Sequence, residues 1–165
     1  MTSHTAAHAG EATDSGESVF VYVTYIRTTP DELWTALTNR AFTERYWYGM
    51  HQESEWRAGA SWSLHFADGR VADAGEIVEA DKPHRLVIRW RNIFRPELTE
   101  EGDSQCTLEI EADEQAAKLT VTHRMGRPGS KFIEAVSAGW PRILSNLKTL
   151  LETGEVLMPL VATGA

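Results

Sequence analysis

SKFIEAVSAGWPRILSNLKTLLE, running from Ser130 to Glu152, carries Phe132, Val136, Trp140, Ile143, Leu147 and Leu150 at spacings of three and four. A helix stacks these six as one apolar stripe, and such a stripe needs another layer to cover it. Ser130 is placed to cap the first turn, Lys148 sits near the last, and Gly154 follows as a left-handed stop. Pro141 breaks the pattern because it lacks a backbone donor and crowds the preceding turn. Two outcomes stay open: a kink at Gly139-Trp140-Pro141, or a helix that starts there with Pro141 in its first turn.

The partner layer lies upstream. From Met50 to Arg124 the apolar period drops to two, and turn residues arrive at hairpin spacing. Met50 to Trp56, Ala60 to Ala67, Val71 to Ala80, Arg85 to Ile93, Ser104 to Ala112 and Lys118 to Arg124 read as antiparallel strands. Asp68-Gly69 is a type I′ hairpin signal, and Asp81-Lys82-Pro83-His84 is a second turn. The stretch Phe94 to Asp103 reads as a long acidic loop held out of the sheet by Pro96 and Gly102.

Alternation gives each strand a dry face: Trp62, Leu64 and Phe66; Leu86, Ile88 and Trp90; Cys106, Leu108 and Ile110; Leu119, Val121 and His123. Ser61, Ser63, His65, Arg89, Arg91, Glu109, Glu111, Thr120 and Thr122 fall on the wet face, the arginines and glutamates as cross-strand ion pairs.

Ahead of the meander, Ser18 to Arg27 (SVFVYVTYIR) is a first strand. Thr29-Pro30-Asp31-Glu32 is a capping box that opens a short helix through Thr38, and Asn39 caps a second, Arg40 to Trp47. Residues 1–17 read as a flexible tail, 18–154 as one domain and 155–165 as a C-terminal tail. The expected fold is therefore α+β: a curved antiparallel sheet of six to seven strands wrapped around a long C-terminal helix, with two short helices after strand 1.

The totals bound the function. A chain of 165 residues buries about two-thirds of its unfolded surface, enough for a core of its own. A net charge of -8 and a pI near 5.2 argue against a nucleic acid or an anionic membrane as partner, since both select clustered Lys and Arg. No run approaches the ~20 apolar residues of a membrane span, and no basic-then-apolar leader is visible, so the expected location is cytoplasmic. The single cysteine, Cys106, cannot form an intrachain disulfide and reads as an inert core residue.

Reactive constellations are scarce. The sequence has no G-x-S-x-G, P-loop or G-x-G-x-x-G, and no cofactor is expected. His4 and His8 belong to the tail, while His51, His65, His84 and His123 are scattered over strands and turns, so no metal is expected. His123 is the one ionisable group on the dry face, and Glu76 follows Gly75 where alternation fails to assign a side. These two are the weak catalytic candidates, as an acid-base couple if strand order unites them.

TTPDELWTALTNRAFTERYW (28–47), RAGASWSLHF (57–66), GEIVEADKPHRLVIRW (75–90), LTVTHRMG (119–126) and GWPRILSNLKTLLETG (139–154) occur in this order. Together they resemble the START/SRPBCC superfamily of helix-grip, birch-pollen-allergen-like proteins, in the branch related to the C-terminal domain of the activator of heat-shock protein 90 ATPase. The eukaryotic co-chaperone also has a separate N-terminal domain to which none of these 165 residues corresponds.

The resemblance covers about residues 18 to 154 and implies a hydrophobic cavity between sheet and long helix. Members bind, carry or occasionally transform apolar small molecules. The pocket expected here is lined by Trp47, Trp62, Leu64, Phe66, Ile88, Trp90, Leu108, His123, Phe132, Val136 and Trp140. Its expected occupant is a small apolar or aromatic ligand. The alternatives are a cyclase- or hydrolase-like enzyme using the same pocket, or a co-chaperone-like interaction module whose outer sheet or acidic loop meets a chaperone or another subunit; the chain is expected as a monomer or homodimer.

Overall fold

The computed structural model describes residues 11–12 and 16–158. Elements follow in the order β1 (Glu11–Ala12), β2 (Ser18–Ile26), α1 (Pro30–Thr38), α2 (Arg40–Tyr46), β3 (His51–Ser54), β4 (Ser61–His65), β5 (Val71–Asp81), β6 (Arg85–Asn92), α3 (Pro96–Thr99), β7 (Ser104–Asp113), β8 (Ala116–Met125) and α4 (Lys131–Thr153). The strands form one antiparallel sheet in the order β1-β2-β8-β7-β6-β5-β4-β3. Seven strands are of ordinary length, and β1 adds a two-residue pairing of Glu11 with Val19 and Ala12 with Ser18. Within the stretch read as an N-terminal tail, 11–12 are therefore in the sheet; 1–10 and 13–15, with His4 and His8, lie outside the described residues.

Helix α4 is continuous through Pro141, so it does not start at Trp140 and Pro141 is not in its first turn. Ser130 Oγ accepts from the Ile133 amide at 3.0 Å, and Gly154 ends the helix at φ 89°, a conformation that costs glycine little. The stripe is wider than six residues: Ile133, Leu144 and Asn146 are buried with it, whereas Val136 is half-buried.

Several local readings need correction. Phe94 to Asp103 contains a one-turn helix, α3, whose Leu98 is buried. This acidic stretch serves α4 directly: the Glu101 carboxylate accepts from Ser130 Oγ (2.6 Å) and from the amides of Lys131 (2.9 Å) and Phe132 (3.2 Å). Partial burial pushes its carboxyl up, but these bonds outweigh it and hold the pKa below the usual carboxylate range. At the β4–β5 hairpin only Gly69 has positive φ (96°), so the turn is not type I′. It is a longer connection in which Phe66 brackets the loop, accepting from Gly69 N and donating to Arg70 O.

The capping box at Thr29 is half formed. Thr29 Oγ1 accepts from the Glu32 amide, while Glu32 turns to the Thr28 hydroxyl. The predicted cap at Asn39 is present, bonded to the amides of Ala41 and Phe42. On the outer face the register sets Glu109 opposite Arg85 and Gln105 opposite Arg89. Arg85 accordingly pairs with Glu109 and Glu79, Arg89 pairs with Glu76, and Arg91 bonds the Thr99 carbonyl.

The four dry faces read from alternation are buried as groups, apart from half-buried Phe66 at the end of its strand. Gly75 makes this packing possible at one point. It pairs with Trp62 on one side and Trp90 on the other, and their rings approach to 4.5 Å above the position that bears no side chain. A β-carbon there would lie 1.7 Å from the Arg89 carbonyl oxygen. The C-terminal stretch docks as well, since Asn146 holds Met158 by both its amide and its carbonyl. No described helix is long and apolar enough to cross a membrane.

Candidate functional site

Space between the sheet and α4 is divided by three indoles. Trp47, Trp90 and Trp140 meet at centroid distances of 5.4 to 6.3 Å. On the deep side, among Leu37, Ile88, Leu108 and Leu144, only about 10 Å³ stays open, room for one water at most. On the other side lies a pocket of about 230 Å³ between the β4–β6 ends and residues 132–143 of α4.

Of the residues expected to line a cavity, Trp47, Leu64, Phe66, Trp90, Phe132, Val136 and Trp140 line this pocket. Trp62, Ile88, Leu108 and His123 do not. Ile88 and Leu108 border the closed deep space, and Trp62 is sealed with its Nε1–H on Gln52 Oε1 at 3.0 Å.

His123 is fully buried and fully bonded. Its Nδ1 accepts the Trp140 indole proton (3.1 Å), its Nε2–H donates to Ser104 Oγ (2.9 Å), and Ser104 passes its own proton to the Trp90 carbonyl (2.9 Å). Burial lowers its pKa to about 3, so the ring is a neutral strut holding α4 on β8. Glu76 lies on the outer face, half exposed and paired with Arg89. Strand order therefore keeps His123 and Glu76 on opposite sides of the sheet, and no acid-base couple forms.

The polar end of the pocket is built from residues the sequence reading passed over. Asp73 pairs with Leu64 on β4 and with Asn92 on β6, so all three share the inner face. Asn92 Nδ2 donates to the Asp73 carboxylate at 3.0 Å, and Asn92 Oδ1 accepts from the Arg95 amide at 2.9 Å. Burial raises the Asp73 pKa to about 6 against the lowering influence of Trp90 and Asn92. Among the described residues the Trp90 Nε1–H nonetheless reaches no acceptor in hydrogen-bonding geometry, and it is buried.

At the mouth, Phe66 and Phe94 meet edge to face (5.0 Å, 87°), Phe94 is half exposed, and Arg70 covers the Phe66 ring. Chemically the site offers an aromatic slot, one unused donor and one carboxyl that changes charge near pH 6. Parity offered one clue: Asn92 continues the Leu86, Ile88, Trp90 series. Asp73 had none, because placing it required the β5 register.

Cys106 sits between Ile88 and His123, and burial pushes its thiol far up, in keeping with an unreactive core residue. The histidines are not all scattered. His84 and His123 stand apart, but antiparallel pairing of β3 with β4 sets His51 opposite His65, their rings stacked at 5.0 Å.

Comparisons with known proteins agree with this architecture. CalU16 of Micromonospora echinospora superimposes with a TM-score of 0.69 at 18% identity, over 90% of this chain and 87% of that one. An HSP90 activator from Plasmodium falciparum gives 0.66 at 25% identity, covering 81% and 96%. The Aha1 dimer of Colwellia psychrerythraea gives 0.67 at 15%, covering 82% and 97%. No curated protein sequence matches significantly. The family profile described as Activator of Hsp90 ATPase homolog 1-like protein matches residues 27–152, from the residue after β2 to the last turn of α4, and the chain belongs to that family.

Proposed function

We propose that this protein binds a small aromatic molecule carrying a hydrogen-bond acceptor, in the pocket between sheet and α4. The observation that carries the reading is the lining: Trp47, Phe66, Trp90, Phe94, Phe132 and Trp140 surround a space whose polar end holds an unused indole N–H. Flat rings gain from aromatic walls, and an acceptor on the ligand satisfies a donor that is otherwise buried alone. At about 230 Å³ the pocket falls below the ~300–1,000 Å³ of typical ligand sites, which limits the occupant to one or two rings.

Thermal-shift and native mass spectrometry screens with one- and two-ring phenols, ketones and carboxylates test this. A hit should be lost in Gly139→Leu, which fills the pocket from α4, while the variant stays folded. Binding that survives the filled pocket overturns the site. If the same pocket supports proton transfer, the group for it is Asp73, since His123 is sealed and Glu76 faces outward.

The interaction reading has a separate support. Val21, Val23 and Tyr25 form an exposed apolar row on the outer face of β2, and the Plasmodium falciparum relative is an HSP90 activator. A pull-down with Hsp90 that is lost in Val23→Lys, with pocket binding unchanged, would favour that role.

A further inference from the structure

The outer face of the β3–β4 edge carries a second constellation. Trp62 and Leu64 point into the core, so Ser63 and His65 point outward, and the register sets Glu53 opposite Ser63 and His51 opposite His65. Glu53 bridges both imidazoles: one carboxylate oxygen lies 3.2 Å from His51 Nε2 and the other 3.7 Å from His65 Nε2. The three ligand atoms all fall within 4.8 Å of one another. Zinc bonds of ~2.0–2.2 Å in a tetrahedron place ligand atoms about 3.4 Å apart, so the widest separation has to close by roughly 1.4 Å, a distance on the scale of a side-chain rotation.

Orientation supports the same conclusion. The Gly69 carbonyl can only accept, so His65 donates Nδ1–H to it at 3.2 Å and presents the Nε2 lone pair toward Glu53 and the Ser63 hydroxyl. A backbone carbonyl on the far ring nitrogen is the usual support of a metal-binding histidine. His51 is buried and held in place, whereas Glu53 is more than half exposed, which leaves entry and further coordination positions open to solvent.

We propose that His51, Glu53 and His65 form a binding site for a divalent transition-metal ion, with zinc the best match to two imidazoles and one carboxylate. Coordination through His51 Nε2 requires the proton that faces Glu53 to move to Nδ1, leaving a neutral imidazole, and the shared ion then ties β3 to β4. Met50 precedes His51, Phe66 follows His65, and both line the aromatic pocket, so the ion staples the sheet edge beside the pocket mouth.

The test titrates zinc chloride into the full chain at neutral pH in a non-coordinating buffer, read by calorimetry and native mass spectrometry. Cobalt(II) absorption reports the geometry. One ion per chain is expected, with slowed amide exchange in β3 and β4. Glu53→Gln and His65→Ala should each weaken binding by about tenfold or more, because even loss of a supporting contact costs that much. Glu53 is exposed, so its variant should fold normally. His4→Ala with His8→Ala should leave binding intact. Absence of binding, binding that survives Glu53→Gln and His65→Ala, or binding abolished by the His4 and His8 variant alone would each overturn the proposal.

Discussion

Replacing Asp73 with Asn removes a charge from the pocket wall while keeping an oxygen to accept from Asn92. The carboxyl titrates near 6 in the folded chain against an ordinary value of 3.8, because burial disfavours the anion. Between those two values the native state holds a proton that the unfolded state has lost. Stability therefore falls as pH rises through that window, and the full penalty stands above pH 6. About two pKa units correspond to ~3 kcal/mol, an upper bound because water entering the pocket relieves part of it.

Asp73→Asn should accordingly stabilise the protein at pH 8 by ~1–3 kcal/mol, and the gain should vanish as the pH approaches 4. At ~2–4 °C per kcal/mol the melting temperature should rise by several degrees. The wild-type profile alone cannot isolate this. His123 acts in the opposite sense: its folded pKa of about 3 lies below the ordinary 6.5, so it destabilises as pH falls through that range. The difference between wild type and variant, from urea denaturation at a series of pH values, cancels the histidine. A variant no more stable than wild type at pH 8, or equally stabilised at pH 4, refutes the assignment of a buried, reluctantly ionised Asp73.

Three further outcomes follow from the packing. Gly75→Ala places a β-carbon 1.7 Å from the Arg89 carbonyl oxygen, so it should destabilise by ~3 kcal/mol or more or prevent folding; a melting temperature near wild type would contradict the Trp62–Gly75–Trp90 register. Trp140→Phe leaves the His123 Nδ1 without its donor in a fully buried position, and urea denaturation should show a loss of ~1–3 kcal/mol beyond that of trimming the ring. Gly139→Ala should stabilise α4 by ~0.5–1 kcal/mol, since its β-carbon meets only Ile143 Cδ1 at 4.0 Å and alanine is the better helix former; a melting temperature at or below wild type would mean that the helix needs glycine beside Pro141.

Local chemistry accounts for what was legible beforehand. The Ser130 cap, the Gly154 stop, the two short helices and the four dry strand faces each depend on residues within a few positions of one another, where period and capping act. The family resemblance rested on segments of the same kind. Pro141 lies inside α4 rather than in its first turn, because buried residues before it (Phe132, Ile133, Trp140) and after it (Ile143, Leu144, Leu147) hold the helix in the core, which outweighs one missing hydrogen bond and a local crowding term.

Sequence by itself thus determined the α+β layering, the helix that the sheet encloses and the aromatic character of the space between them. Tertiary structure alone decided where that space lies. Three indoles distant in the chain close the deep half and leave the pocket at the β4–β6 end, and pairing register brings Asp73 to Asn92 and His51 to His65. Register is a relation between strands, and a slip of one residue would send every one of these side chains to the other face.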